Sequence, residues 1–173
     1  SVLANFDCSE AKTHIEQGIK GALRSLRKRG VVVAMSGGID SSVTAALCVK
    51  ALGPSKVFGL LLPENDSSSS SECLGNLLAE HLGIETITHN IGPSLEAIGC
   101  YQWRDEAIRR LFPDYTQAWK NKIAIIGGQG AITNQFKLVV QSPEGATFEK
   151  KMALKEYLQI VAATSYKQRT RQM

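Results

Sequence analysis

Residues 31–42 read VVVAMSGGIDSS and contain the clearest structural signal in this chain. The first five residues are uncharged and mostly β-branched, a composition typical of a strand buried on both faces at the centre of a parallel sheet. The SGGIDSS turn follows directly, and an apolar helical pattern then runs through residues 42–52. Strand, glycine-containing turn and helix together predict the first half of a βαβ unit.

The segments on either side repeat this alternation. Residues 56–62 and 85–90 have the composition of further strands, and residues 9–29 and 73–82 show helical spacing, with Ser9 as the expected cap of the first helix. Crossovers between parallel strands are right-handed. We therefore expect an α/β fold, an open parallel sheet with helices on both faces.

The second half of the chain is less regular. Its predicted elements are helices at 93–98 and 105–112, a strand at 122–126, a hairpin of 135–141 and 146–150 across the turn 142–145, and a helix at 152–173. A length of 173 residues suits a single domain, with residues 100–150 as an insertion. Because the chain starts at Ser1 and stops within a helical pattern, we expect a piece of a longer protein, incomplete at its C-terminus.

Composition excludes several classes of function. The net charge of +4 is too mild and too dispersed to favour a nucleic-acid partner. No apolar run approaches the roughly 20 residues that cross a bilayer, and no signal-peptide pattern is present, so we expect a cytoplasmic protein without membrane contact. The four cysteines form no C-x-x-C pair, which argues against a zinc site or a disulfide framework.

The SGGIDSS turn carries the chemistry. Its glycines allow a sharp turn and a close approach to phosphate, while the serine hydroxyls and the amides of the following helix donate hydrogen bonds to anionic oxygens. Asp40 alone would repel phosphate, so its presence implies a cation, most simply magnesium. A plain glycine turn with a serine cap would leave Asp40 unexplained. The turn lacks the lysine of a Walker A loop and the spacing of a dinucleotide fingerprint.

The turn resembles the pyrophosphate-binding loop of the N-type ATP pyrophosphatases, the PP-loop superfamily. Three further segments are similar to NAD synthases in particular: LLP at 61–63 with the serine run 67–71, NIGPSLEA at 90–97, and KQRTRQM at 167–173. Residues 100–150 match no segment of that pattern. The resemblance implies that ATP is bound by Ser36, Gly37, Gly38, Ile39, Asp40, Ser41, Ser42 and Leu62.

The resemblance also implies an activity. NAD synthases are ligases that adenylate deamido-NAD with ATP, release pyrophosphate, and then use ammonia to form the amide of NAD. In this chain Asp40 would bind Mg²⁺ and Arg169 would contact deamido-NAD. No residue is identified as a general base, and a homodimer is expected by resemblance alone.

Other functions stay open at this point. The same loop occurs in GMP synthetase-like, asparagine synthetase-like and tRNA-modifying enzymes, and a noncatalytic nucleotide-binding module could retain it. Ammonia or glutamine could supply the nitrogen. The serine run suits either a flexible linker or a mobile active-site loop. The glycine-rich segment 127–130 is interpreted as a loose structural turn.

Overall fold

The computed structural model describes residues 6–126 and 135–173. The chain divides into two compact units, Ser1–Gly92 and Pro93–Met173, which we call unit 1 and unit 2. The single domain with an insertion at 100–150 stays a prediction. The glycine-rich segment 127–130 lies outside the described residues.

Unit 1 is an α/β unit, as its alternating pattern predicts. Its strands pair in parallel in the order β1-β2-β3, with Val33 opposite Gly59 in the first pair. The elements are α1 (Cys8–Ser25), β1 (Val31–Ala34), α2 (Ile39–Leu52), a 3-10 turn (Pro54–Lys56), β2 (Val57–Leu61), α3 (Ser69–Leu82) and β3 (Glu85–Thr88). The predicted α/β class and open parallel sheet are confirmed.

The position of β1 differs from the prediction. Among the residues the structure describes, β1 pairs with β2 alone, so β2 is the middle strand. Val33 is buried, whereas Val32 is 67% exposed. A β-branched run predicts a strand, but its place in the sheet depends on which other strands pair with it.

One hydrophobic core joins the sheet to its helices. Helices α2 and α3 both contribute buried side chains to it, and Ile19 of α1 packs against it from outside. The core consists of Val33, Met35, Ala45, Cys48, Val57, Leu61, Ala79 and Ile84. Burial of apolar area of this kind is the main stabilising term for such a unit.

Helix α1 begins earlier than predicted, because Asp7 rather than Ser9 is its cap. The Asp7 carboxylate accepts hydrogen bonds from the backbone N–H of Ser9 at 2.8 Å and of Glu10 at 3.1 Å. A carboxylate satisfies these amides and also interacts favourably with the helix dipole. The helix ends at Ser25, and Arg27 adopts a left-handed φ of 51° just beyond it.

Helix α3 also begins earlier than predicted, within the serine run. Ser68 is its N-cap and Ser69 its first residue. The segment therefore starts a helix instead of forming a linker or an irregular loop. Serine is among the preferred cap residues because its hydroxyl accepts a hydrogen bond from the first-turn amides.

Unit 2 combines a helical pair with an antiparallel sheet. Its elements are α4 (Gly92–Ala97), which begins at the unit boundary, α5 (Cys100–Leu111), β4 (Lys120–Ile126), β5 (Gln135–Gln141), β6 (Thr147–Lys151) and α6 (Leu154–Gln172). The predicted hairpin is confirmed: β5 pairs with β6, and Gly145 has a φ of 92° in the turn. Within the described residues, no helix is long and apolar enough to cross a membrane.

Candidate functional site

The candidate site lies where the chain leaves β1. Ligands of open α/β sheets bind outside the carboxyl ends of the strands, which is where residues 35–38 connect β1 to α2. Helix α2 begins at Ile39, three residues before the predicted start. Asp40, Ser41 and Ser42 therefore belong to the first helical turn, where acidic and hydroxyl side chains are favourable.

Gly37 has a conformation that only glycine adopts without strain. Its φ is 72°, and a Cβ built on it would lie 2.4 Å from the backbone oxygen of Ser71. Gly38 then serves as the N-cap of α2, and its carbonyl accepts the Ser42 N–H at 3.1 Å. The two glycines thus have separate roles, one in the turn and one at the start of the helix.

The serine hydroxyls of the turn are bonded to the turn itself. Ser41 Oγ accepts the backbone N–H of Ser36 at 3.2 Å and donates to the Gly38 carbonyl at 3.0 Å. Ser42 Oγ donates to the same carbonyl at 2.8 Å. In this conformation the hydroxyls hold the loop, and the first-turn amides of α2 are the groups available to an anion.

Asp40 is exposed at the second position of α2. Across residues 6–126 and 135–173, no three His, Cys, Asp or Glu side chains come together as a metal cluster. Magnesium commonly binds one or two carboxylates plus substrate phosphates, so an exposed carboxylate in the first turn of α2 fits that ion. Asp40 would be its protein ligand.

Leu62 lies at the same edge of the sheet as the loop. It directly follows β2, the strand paired with β1, and the Met35 N–H donates to the Leu60 carbonyl at 2.9 Å. Leu62 is half-buried, next to the buried Leu61. The structure therefore brings Leu62 and residues 36–42 to one sheet edge, as a shared nucleotide site requires.

Arg169 belongs to the other unit. It lies in the last turn of α6 and is exposed. In the same helix, the Lys167 ammonium lies 5.4 Å from the centre of the Tyr101 ring, so this lysine contributes to the packing of α6 on α5. The assignment of Arg169 to acceptor binding stays a proposal.

The contact between α3 and the loop is a feature that sequence reasoning missed. Ser71 lies behind Gly37, and a Cβ on Gly75 would lie 2.9 Å from Leu61 Cδ2 and 3.7 Å from the Met35 oxygen. Ala79, one turn further, is buried. Small residues at a spacing of four could have indicated this close helix face.

An open parallel α/β sheet with a glycine and serine loop leading into a helix N-terminus is the arrangement of a nucleotide-binding α/β protein, and the SGGIDSS loop fits the PP-loop class of ATP pyrophosphatases. Within that class, residues 11–123 match the family model described as NAD synthase. The chain belongs to the NAD synthase family.

Curated relatives carry the name NH(3)-dependent NAD(+) synthetase. The chain is 52% identical over 158 residues to that of Rhizobium meliloti (strain 1021), which covers 91% of this chain and 47% of the relative. It is 44% identical over 90 residues to that of Methanocaldococcus jannaschii, covering 52% of this chain and 35% of the relative. The chain spans about half the length of the Rhizobium meliloti relative and of two others it matches.

Two solved structures are similar. The NH3-dependent NAD synthetase from Campylobacter jejuni, in complex with the nitrate ion, is 27% identical with a TM-score of 0.51, over 62% of this chain and 50% of that one. The NMN synthetase from Francisella tularensis is 27% identical with a TM-score of 0.51, over 63% and 50%.

The relatives also bear on residues 100–150. A match that covers 91% of the chain takes in most of this segment, so it has a counterpart in the Rhizobium meliloti protein. The segment forms α5, the three antiparallel strands and their hairpin within unit 2. Its status as an insertion relative to other members stays a prediction.

Proposed function

We propose that this chain supplies the ATP-binding part of an enzyme that forms NAD from deamido-NAD, ATP and ammonia. The observation that carries the proposal is the left-handed Gly37 at the exit of β1, followed at once by the N-terminus of α2. Such a turn presents backbone amides to a polyphosphate. Family membership supports this reaction over the others that use the same loop.

In the first step a carboxylate oxygen of deamido-NAD attacks the α-phosphorus of ATP. The bond to the bridging oxygen between the α- and β-phosphates breaks, and pyrophosphate departs. The first-turn amides of α2 would bind the departing pyrophosphate, and Asp40 would hold Mg²⁺ beside it. Magnesium, when bound, neutralises charge that develops on the leaving group. Positioning and charge stabilisation supply the acceleration.

In the second step ammonia attacks the carbonyl carbon of the adenylate. The bond between that carbon and the AMP oxygen breaks, so AMP leaves with one oxygen of the original carboxylate. The nitrogen loses a proton to solvent. Leu62 would contact the adenine, and the Arg169 guanidinium would bind a phosphate or carboxylate of deamido-NAD.

Oxygen labelling tests the reaction. The intact protein is incubated with Mg·ATP, ammonium and deamido-NAD carrying ¹⁸O in its carboxylate, and the nucleotides are analysed by mass spectrometry. The proposal predicts NAD, pyrophosphate and AMP with one ¹⁸O. Formation of ADP would exclude adenylation, and ATP binding without turnover would favour a noncatalytic nucleotide-binding module.

A second acceptor follows from the likeness to the Francisella tularensis protein, whose name is NMN synthetase. Its identity and TM-score equal those of the Campylobacter jejuni NAD synthetase. Both reactions amidate a carboxylate, and they differ in whether the acceptor is a mononucleotide or a dinucleotide. Measuring kcat/KM for both acceptors decides between them, and the proposal predicts the larger value for deamido-NAD.

We also propose a cytoplasmic homodimer that binds small-molecule substrates and no nucleic acid. The family resemblance and the mild net charge support these points. Sedimentation equilibrium of the intact protein tests the oligomeric state: a mass of two chains is expected, and a monomer at micromolar concentration would contradict the dimer.

A further inference from the structure

We propose that Ser68 is a positioning residue for the phosphate loop and that it acts through the first turn of α3. Ser68 belongs to the serine run whose role the sequence leaves undecided. The kinetic part of this inference rests on the proposed function, whereas the conformational part does not.

The first step is the contact between the helix and the loop. The backbone of Ser71 lies so close to Gly37 that a Cβ on the glycine would come within 2.4 Å of the Ser71 oxygen and 3.0 Å of its Cα. One turn along, Gly75 approaches the backbone of Met35. The chain leaving β1 is therefore supported from behind by one face of α3.

The second step is what holds that face in place. Ser68 Oγ accepts the Ser71 N–H at 3.3 Å and lies 2.8 Å from Ser71 Oγ and 2.9 Å from Ser70 Oγ. The Ser68 carbonyl also accepts the Ser71 N–H, at 3.0 Å. Ser68 thus fixes Ser71, the residue that contacts the loop.

The third step is the consequence for the loop. Gly37 is held at a φ of 72°, in the left-handed region, and glycine populates other regions about equally well. When the first turn of α3 frays, the Ser71 backbone no longer packs against Gly37. The loop can then adopt other backbone conformations. Loop amides that are no longer preorganised bind an anion less tightly.

Ser68→Ala in the intact protein tests this. The cap is lost but the backbone of Ser71 is kept, and Ser68→Asn restores a neutral cap acceptor. We expect Ser68→Ala to raise the KM for ATP roughly fivefold, the scale of one lost cap, with little change in the KM for deamido-NAD. Ser68→Asn should return the KM for ATP close to that of the wild type.

A matched control separates positioning from general destabilisation. Asp7→Ala removes the equivalent cap from α1 in the same unit. It should leave the KM for ATP within about twofold of the wild type. An Asp7→Ala effect as large as that of Ser68→Ala would overturn the inference.

Hydrogen exchange gives a readout that is independent of activity. Without any ligand, the amides of residues 36–42 should exchange faster in Ser68→Ala than in the wild type. In Asp7→Ala their exchange rate should equal that of the wild type. Equal exchange in this segment would overturn the inference even if the enzyme forms NAD. Conversely, faster exchange in a protein that forms no NAD would sustain it while the proposed function fails.

Discussion

Ser41 Oγ lies 3.0 Å from Ser36 Oγ and accepts the Ser36 backbone N–H at 3.2 Å. Ser41, the third residue of α2, is thereby hydrogen-bonded to Ser36, two residues after β1. These bonds hold the two ends of the loop together. The same oxygen donates to the Gly38 carbonyl at 3.0 Å. One hydroxyl therefore connects the beginning, the middle and the end of the loop.

This closure predicts different effects for the two neighbouring serines. Ser41→Ala removes the link to Ser36, and Ser42→Ala removes only a bond to Gly38. We expect Ser41→Ala to weaken ATP binding roughly fivefold, and Ser42→Ala to weaken it less. Calorimetric titration with Mg·ATP measures both. The opposite order would show that Ser42 has the larger role in binding.

Because Gly37 has a left-handed φ, replacing it by alanine should strongly weaken ATP binding. Gly37→Ala places a Cβ against the Ser71 backbone and strains φ, so the loop must rearrange and ATP affinity should fall at least about tenfold. Gly18→Ala is the control, because a Cβ there meets no atom within 4 Å. That variant should be more stable by about 0.5–1 kcal/mol in urea denaturation and bind ATP as the wild type does.

The Asp40 carboxylate in the first turn of α2 predicts a change in magnesium dependence. In Asp40→Asn, Mg²⁺ should enhance ATP binding much less than in the wild type, because a metal ligand is lost. In EDTA the variant should bind ATP at least as well, because a negative charge next to the polyphosphate is removed. Glu10→Gln, in the first turn of α1, is the control. Unchanged magnesium dependence in Asp40→Asn would exclude Asp40 as the ligand.

If Arg169 binds the acceptor, its substitution should change the KM for deamido-NAD and leave the KM for ATP unchanged. Arg169→Ala should raise the KM for deamido-NAD roughly tenfold or more while the KM for ATP stays the same, and Arg169→Lys should recover only part of the loss, since lysine lacks the planar fork. Gln168→Ala, also exposed on α6, is the control. Equal changes in both KM values would assign Arg169 to structure.

The burial of Cys48 in the core of unit 1 predicts that the stability of the protein depends on pH in the alkaline range. Burial raises the pKa of Cys48 above its ordinary value of 9.0. The folded state therefore favours the neutral thiol. The free energy of unfolding keeps this contribution below pH 9.0, the ordinary pKa of the thiol, and falls as pH rises from there towards the higher pKa of the folded state. The urea midpoint should drop more between pH 8 and pH 10 in the wild type than in Cys48→Ala. With Ellman's reagent, the exposed Cys8 and Cys73 should react first.

Local features of the sequence predicted the strand, turn and helix that form the candidate site. Residues 31–42 alone indicated strand, loop and helix, because β-branched residues, paired glycines and hydroxyl residues each have local conformational preferences. The start of α2 was placed too late because Asp40 and Ser41 were assigned to the turn. They suit a first helical turn equally well, and only the φ and ψ of Gly38 show where the helix begins.

Long-range features were not predictable in the same way. The contact of Gly37 with Ser71 joins residues in different elements, and the spacing of the small residues on α3 indicates a close helix face without identifying its partner. Among the described residues, the edge position of β1 depends on its pairing partners. The cap of α1 was assigned to Ser9, whereas the Asp7 side chain accepts the first-turn amides. Arg169 came from resemblance, since an arginine on a helix indicates no particular ligand.

Competition between ATP and pyrophosphate tests the phosphate loop most directly. Inorganic pyrophosphate is titrated in the presence of Mg²⁺ into the folded protein, alone and after saturation with ATP. If the loop binds the polyphosphate tail, pyrophosphate binds in the absence of ATP and displaces bound ATP as its concentration rises. The Gly37→Ala variant should then bind pyrophosphate much more weakly than the wild type. A well-folded protein that binds ATP but is indifferent to pyrophosphate, or that binds neither, would contradict a phosphate-binding role for the turn after β1.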